Sequence, residues 1–312
     1  MAVRSPSARP RWTPSPAPHA THTRQTVDPR RAGGQLCCKS EELMNETLQI
    51  DRVGATAVLT MHRPEARNAL DLAMRQAFGA AIAGIRDDAG IRAVVLTGAG
   101  GHFCAGGDVK AMVQGQGGQR DIFEGRERMR SLHRWFDELV DLEKPVIAAV
   151  DGAAFGAGLS LALAADFVLA TPRAQFCCAF ARLGFVPDMG AMYLLPRAIG
   201  LARAKDLVFS ARVVHAPEAL AIGLAQQIVP GDVRAAALAF AQRFHQAPTE
   251  ALGIAKGVLN HAFESERRDV YAQEAMAQAM ARESAFHQDA ARRFLAKEPP
   301  AYQWPESPPP TP

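Results

Sequence analysis

The chain has 312 residues, 48% hydrophobic and 21% charged, with a formal net charge of +3. That length and balance suit one large or two small folded domains with a sizeable core. The excess positive charge lies in residues 1–43, where six Arg and Lys39 face Asp28, Glu41 and Glu42; the rest is near neutral and gives no electrostatic support to a nucleic-acid-binding role.

Residues 1–43 are rich in Pro, Arg, Ser and Thr and lack apolar periodicity. Such a segment buries too little surface to offset its ordering entropy, so disorder is expected. Its prolines oppose the amphipathic helix of a transit peptide. Met44 reads as a natural start, with the tail an over-extended reading frame. The expected organisation is a core over 44–235, a helical region over 236–300 and a flexible tail over 301–312.

From Leu48 the pattern changes. Leu48 to Val53 and Ala57 to Met61 alternate or cluster apolar residues around Gly54, predicting a β-hairpin. Pro64 to Asn68 is a turn, and Leu70, Met74, Phe78, Ile82 and Ile85 repeat at helical spacing. Ile91 to Thr97 reads as a buried strand, followed by a glycine-rich loop and a helix capped by Asp108. Residues 113–119 carry three Gly and three Gln and read as a mobile loop. A helix through Met129, Leu132, Trp135, Phe136 and Leu139 leads into the apolar run 145–150. Beyond Asp188 helices are predicted near 201–210, 216–223 and 233–246, then a helical region over 248–297. Strand–helix alternation with a helical end argues for an α/β class.

The apolar stretch 145–170 is interrupted by Asp151, Gly152, Gly156, Gly158 and Asp166, which excludes a membrane span. Five cysteines, with Cys37-Cys38 and Cys177-Cys178 adjacent, make no disulfide framework, and the histidines lack ligand spacing. A reducing, cytoplasmic setting with no metal is expected.

Two small-residue loops follow buried strands: Ala105-Gly106-Gly107 and Gly156-Ala157-Gly158. A dinucleotide fingerprint fails, because Phe103 and Leu161 stand where its third glycine belongs. A phosphate-binding P-loop fails too: Gly101 and Gly106 have the spacing, but no Lys-Ser/Thr follows. Any single glycine is explained by tight turning. Two such loops leading into helices are better explained by backbone N–H groups approaching a ligand oxygen. A pair of them makes an oxyanion hole, each donor contributing about 3–4 kcal/mol to an enolate-like or tetrahedral transition state.

The order Pro64-x-Ala-Arg-Asn-Ala-Leu70, Gly101-His-Phe-Cys-Ala-Gly-Gly-Asp-Val-Lys110 and Lys144-Pro-Val-Ile-Ala-Ala-Val-Asp-Gly152 through Phe155-Gly-Ala-Gly158 resembles the enoyl-CoA hydratase/isomerase (crotonase) family over about residues 46–298. The resemblance implies a spiral of ββα units, a C-terminal trimerisation region giving a homotrimer or a hexamer, and an acyl-CoA thioester as substrate. No cofactor is implied beyond the coenzyme A that the substrate carries. The resemblance also puts oxyanion donors on the N–H groups of Gly107 and Ala157, where family members usually have glycine at the latter. Coenzyme A would lie along Ala66 and Arg67 and along Ala105, Asp108, Val109 and Lys110, with Lys297 a weaker candidate for its nucleotide end.

Hydration in this family uses two glutamates, and their positions fall at Ser160 and Phe180. Neither side chain does that work. Of the remaining acids, Asp151 and Asp166 read as turn and strand-edge residues. Asp188 follows Pro187 among Phe185, Val186, Met189 and Met192, where desolvation raises a carboxyl pKa; its plain reading is a helix cap. Residues 183–200 are similar to epoxyphenylacetyl-CoA isomerases, and dienoyl-CoA isomerases carry an acid at the place of Asp188. The expected function is isomerisation of an unsaturated or epoxidised acyl-CoA, with Asp188 as acid and base. The alternatives are a conventional enoyl-CoA hydratase and a non-catalytic acyl-CoA-binding protein.

Overall fold

The structure is a computed structural model that describes residues 46–114 and 121–304. The expected disordered tail, residues 115–119 of the expected mobile loop and the last residues of the C-terminal tail lie outside the described residues.

The predicted hairpin forms as β1 (Leu48–Val53) and β2 (Thr56–Met61). A 3-10 turn at Pro64–Ala66 leads to α1 (Leu72–Asp87), capped by the Asp71 carboxylate on the Met74 N–H. Then come β3 (Ala93–Gly98), α2 (Val109–Gln114), α3 (Ile122–Val140), β4 (Val146–Val150), β5 (Ala153–Phe155) and α4 (Ala157–Leu163). β6 (Phe167–Ala170), β7 (Gln175–Cys177), a 3-10 turn at Ala179–Leu183, α5 (Ala191–Ile199) and α6 (Leu201–Ser210) follow. The chain continues through β8 (Val213–His215), α7 (Ala216–Ile222), β9 (Gln227–Ile228), α8 (Val233–Gln242), α9 (Thr249–Asn260), α10 (Arg267–Arg282) and α11 (Ala285–Leu295).

Six strands form one sheet in the order β1-β2-β3-β4-β6-β9, antiparallel only at the hairpin. A smaller sheet, β5-β7-β8, stands apart from it. The pleat explains why the central strands read as unbroken apolar runs, since both faces are covered. Val58, Val95 and Ile147 stand in register and pack with Ala237, Ala241 and Phe244 of the α8 side. Leu59, Leu96 and Ala148, one residue on, join Phe78 of α1 and Trp135 of α3, whose rings stack at 5.2 Å. Lys144 donates to the Ile85 carbonyl and, at 2.7 Å, to the Asp88 carbonyl, tying the entrance of β4 to the end of α1.

The expected helical region over 248–297 is made of three helices, with breaks near 261–266 and at 283–284. The Asp166 carboxylate accepts from Val146 N–H at 2.8 Å and from Lys256 at 2.9 Å, which pins α9 to the sheet and makes Asp166 the structural residue expected. α10 and α11 bury no residue, and Tyr271, Met276, Met280, Phe294 and Leu295 stay exposed.

Candidate active site

The site starts from a strand-like pairing between two loops. Cys104 N–H donates to the Ala153 carbonyl at 2.8 Å, and Phe155 N–H returns a bond to the Cys104 carbonyl at 2.9 Å. On its other side the same loop meets Leu70, whose N–H donates to the Gly106 carbonyl at 2.7 Å and whose carbonyl accepts from Asp108 N–H at 3.2 Å. Ala105 N–H donates to the Arg67 carbonyl at 2.9 Å. The segment carrying Gly106 and Gly107 is therefore held between residues 67–70 and β5.

Two glycines permit this approach. Gly106 has φ +105, and a β-carbon there would stand 2.8 Å from the Phe155 carbonyl oxygen and 3.6 Å from the Ala157 nitrogen. A β-carbon at Gly158 would sit 2.1 Å from the Cys104 carbonyl oxygen. Ala157 is the first residue of α4, so its N–H has no intrahelical acceptor. Neither it nor the Gly107 N–H has an acceptor among the described residues. The two donors expected from sequence thus lie on neighbouring backbone segments.

The proposed coenzyme A residues fall together. Ala66 closes the 3-10 turn, and Arg67 follows in left-handed conformation at φ 50, its carbonyl accepting from Ala105 N–H. Val109 and Lys110 open α2 and are exposed, as is Arg67. Asp108 has a second job: its carboxylate accepts from Ala111 N–H at 3.1 Å and pairs with Arg63 at 2.9 Å. The Ala111 N–H, and then the Arg63 guanidinium, hold its carboxyl below the usual carboxylate range. Lys297 lies beyond α11, where its N–H donates to the Phe294 carbonyl.

Ser160 and Phe180 both flank the glycine loop. Ser160 is buried in α4, three residues past Ala157, and its hydroxyl donates to the Asp188 carbonyl at 3.0 Å. The Phe180 ring lies 4.0 Å from the β-position of Gly156. Asp188 leads into a tight turn in which Met189 (φ 47) and Gly190 (φ 69) are left-handed. Gly190, with no side-chain bond, is the N-cap of α5, so the reading of Asp188 as the cap of a helix over Met189–Leu195 is corrected. Its Oδ1 is buried with no donor among the described residues.

Burial raises the Asp188 pKa as expected, opposed by Arg75 first and then His133. The source of that burial differs from expectation. Phe185, Val186 and Met192 are 55%, 71% and 61% exposed, and of the four neighbours only Met189 is buried. Arg75 of α1 and His133 of α3 were not legible as site residues; the only signal for Arg75 was a cation beside the apolar stripe, next to Met74. Asp151 is engaged by Thr171 at 2.8 Å and by Arg173, as a turn residue should be.

The fold and the paired backbone donors define an α/β enzyme of the crotonase class. Residues 51–305 match the family model described as Enoyl-CoA hydratase/isomerase, and the chain belongs to that family. It is 38% identical over 217 residues to Carnitinyl-CoA dehydratase of Salmonella arizonae, covering 69% of this chain and 80% of that one. It is 36% identical over 257 residues to a Rhodobacter capsulatus protein named Probable enoyl-CoA hydratase, covering 82% and 97%. The crystal structure of an enoyl-CoA hydratase/isomerase from Cupriavidus metallidurans CH34 superposes with a TM-score of 0.79 at 37% identity, covering 84% and 98%.

Proposed function

We propose that this enzyme isomerises an unsaturated or epoxidised acyl-CoA by proton transfer. The carrying observation is the buried, unpartnered carboxylate oxygen of Asp188 beside the loop where Ser160 and Phe180 replace the family's two glutamates. For a 3-enoyl thioester, the Asp188 carboxylate takes a proton from C2. The electron pair spreads onto the thioester oxygen as a dienolate, held by the Gly107 and Ala157 N–H groups, and the same carboxyl returns the proton at C4. The double bond then lies between C2 and C3, and no atom is gained or lost. Coenzyme A enters with the substrate along Ala66, Arg67, Ala105, Asp108, Val109 and Lys110, and the reaction asks for no other group.

A second reading, hydration or its reverse, is favoured by the names of the relatives, one a dehydratase and one a hydratase. Assay of the wild type and Asp188→Asn against a panel of enoyl-CoA thioesters, following double-bond migration, hydration and α-deuterium exchange, separates the readings. Migration and exchange lost in the variant support isomerisation. Rapid hydration of crotonyl-CoA untouched by the substitution overturns it, and tight binding with no turnover of any thioester favours a non-catalytic binder.

The same reading includes a homotrimer, or a hexamer built from two, formed through α10 and α11, where Tyr271, Met276, Met280, Phe294 and Leu295 are exposed among the described residues. It also includes a reducing, cytoplasmic setting, in keeping with Cys104, Cys177 and Cys178 being unbridged.

A further inference from the structure

The proton transfer above leaves unused a half-buried cation, Arg75. Arg75 sits in the first turn of α1, and its Nε is buried with no acceptor among the described residues. Its Nη2 reaches the Leu70 carbonyl only at 3.3 Å. Leu70 is the residue bridged to Gly107, so the guanidinium belongs to the Gly107 side of the oxyanion hole. Asp188 belongs to the Ala157 side, tied to α4 through Ser160, and its Oδ1 is likewise buried and unpartnered among the described residues.

Arg75 and Asp188 act on each other through space, yet no ion pair within 4.0 Å joins them. The other nearby carboxylates are taken: Arg63 pairs with Asp71 at 3.2 Å and with Asp108 at 2.9 Å. Arg75 Nε and Asp188 Oδ1 are each buried without a partner among the described residues, and covering such groups with a hydrocarbon chain is costly. An oxygen on that chain relieves the cost. A second carboxylate would meet Asp188 as a like charge, which favours an uncharged oxygen.

We propose that Arg75 is a specificity-determining residue that donates a hydrogen bond to an uncharged oxygen on the acyl chain, selecting hydroxy-, epoxy- or oxo-acyl-CoA thioesters over plain hydrocarbon ones. This rests on the reading that Gly107 and Ala157 hold the thioester oxygen. It narrows the substrate class toward oxygenated chains.

Equilibrium binding tests it without turnover. 4-Hydroxybutyryl-CoA and pentanoyl-CoA have the same shape and differ by a hydroxyl in place of a methyl group. Calorimetry on wild type, Arg75→Met and Arg75→Lys gives the affinity ratio of the two ligands for each protein. The wild type should prefer the hydroxy ligand. Arg75→Met should reduce that ratio about tenfold, the loss of one charge-assisted hydrogen bond, and Arg75→Lys should recover part of it. An Arg75→Met ratio equal to that of the wild type, or a wild type that prefers pentanoyl-CoA, overturns the proposal. Retained pentanoyl-CoA binding shows that a variant is folded. Because nothing reacts, failure of the isomerase reading in the turnover assay leaves this measurement intact, and the reverse holds.

Discussion

The Ser160 hydroxyl donates to the Asp188 carbonyl at 3.0 Å. A position that resemblance assigns to a hydration glutamate thus supports the turn carrying a different acid. Loss of that bond should cost about 1 kcal/mol, the net worth of one buried hydrogen bond. Ser160→Ala should lower the unfolding free energy by that amount and move the denaturant midpoint down accordingly. A wild-type midpoint would show that the hydroxyl carries no load.

Asp188→Asn keeps shape and removes the base. Turnover should fall by about 10²- to 10⁴-fold, the range for a general acid–base group, with thioester affinity little changed. Steady-state kinetics with separate kcat and KM decides it, and a pure KM effect argues against a proton-transfer role.

The same substitution has a stability signature that depends on pH. Burial raises the Asp188 pKa in the folded state, so the folded chain holds that proton more tightly than the unfolded one. Stability from this group is fully present below the unfolded carboxylate pKa and is lost as pH rises through the raised folded value. Asp188→Asn should therefore melt above the wild type at neutral pH, with the difference closing in acid. Thermal melts across that interval check it, and a variant that is less stable at neutral pH reverses the sign.

Gly158 and Ala157 are neighbours with opposite tolerance. Gly158→Ala drives a methyl onto the Cys104 carbonyl, 2.1 Å from its ideal position, so the loop pairing must open. We expect at least about 3 kcal/mol of destabilisation and loss of activity. Ala157→Gly keeps the donor N–H and should retain activity within a few-fold. Chemical denaturation and turnover of both variants test the pair; an active, stable Gly158→Ala would refute the close approach.

Charge on the outer face of α11 tests the assembly. Phe294 is 83% exposed on a helix with no buried residue among the described residues. Phe294→Glu should shift sedimentation from a trimer toward the monomer. A wild type that sediments as a monomer removes the trimer.

Much of the fold was legible because periodicity is a local signal. The hairpin, the buried strand at β3 and the helices near 72–87 and 201–210 fall where their apolar spacing put them. The breaks at 261–266 and 283–284 escaped because exposed helices carry no strict apolar stripe. The glycine loops and the motif order marked out two segments that the structure pairs through Cys104, Ala153 and Phe155. The influence of Arg75 on Asp188 was not legible, because nothing in a helix sequence says that a cation one residue from Met74 comes near an acid more than a hundred residues away. The desolvation of Asp188 was foreseen for the wrong reason: its chain neighbours turn outward, and other parts of the fold enclose it.

The exchange of hydrogen bonds between Cys104 and β5 makes the two donor loops a single rigid body. Residues 160, 180 and 188 approach that body from three separate elements: a helix, a 3-10 turn and the turn before α5. An acid can therefore be seated, removed or relocated by changing one side chain, while the spacing of the donors stays as it is. Reaction type in this architecture is written in interchangeable side chains. The two expected donors are written in backbone, which a substitution reaches only where it blocks a close approach, as at Gly158.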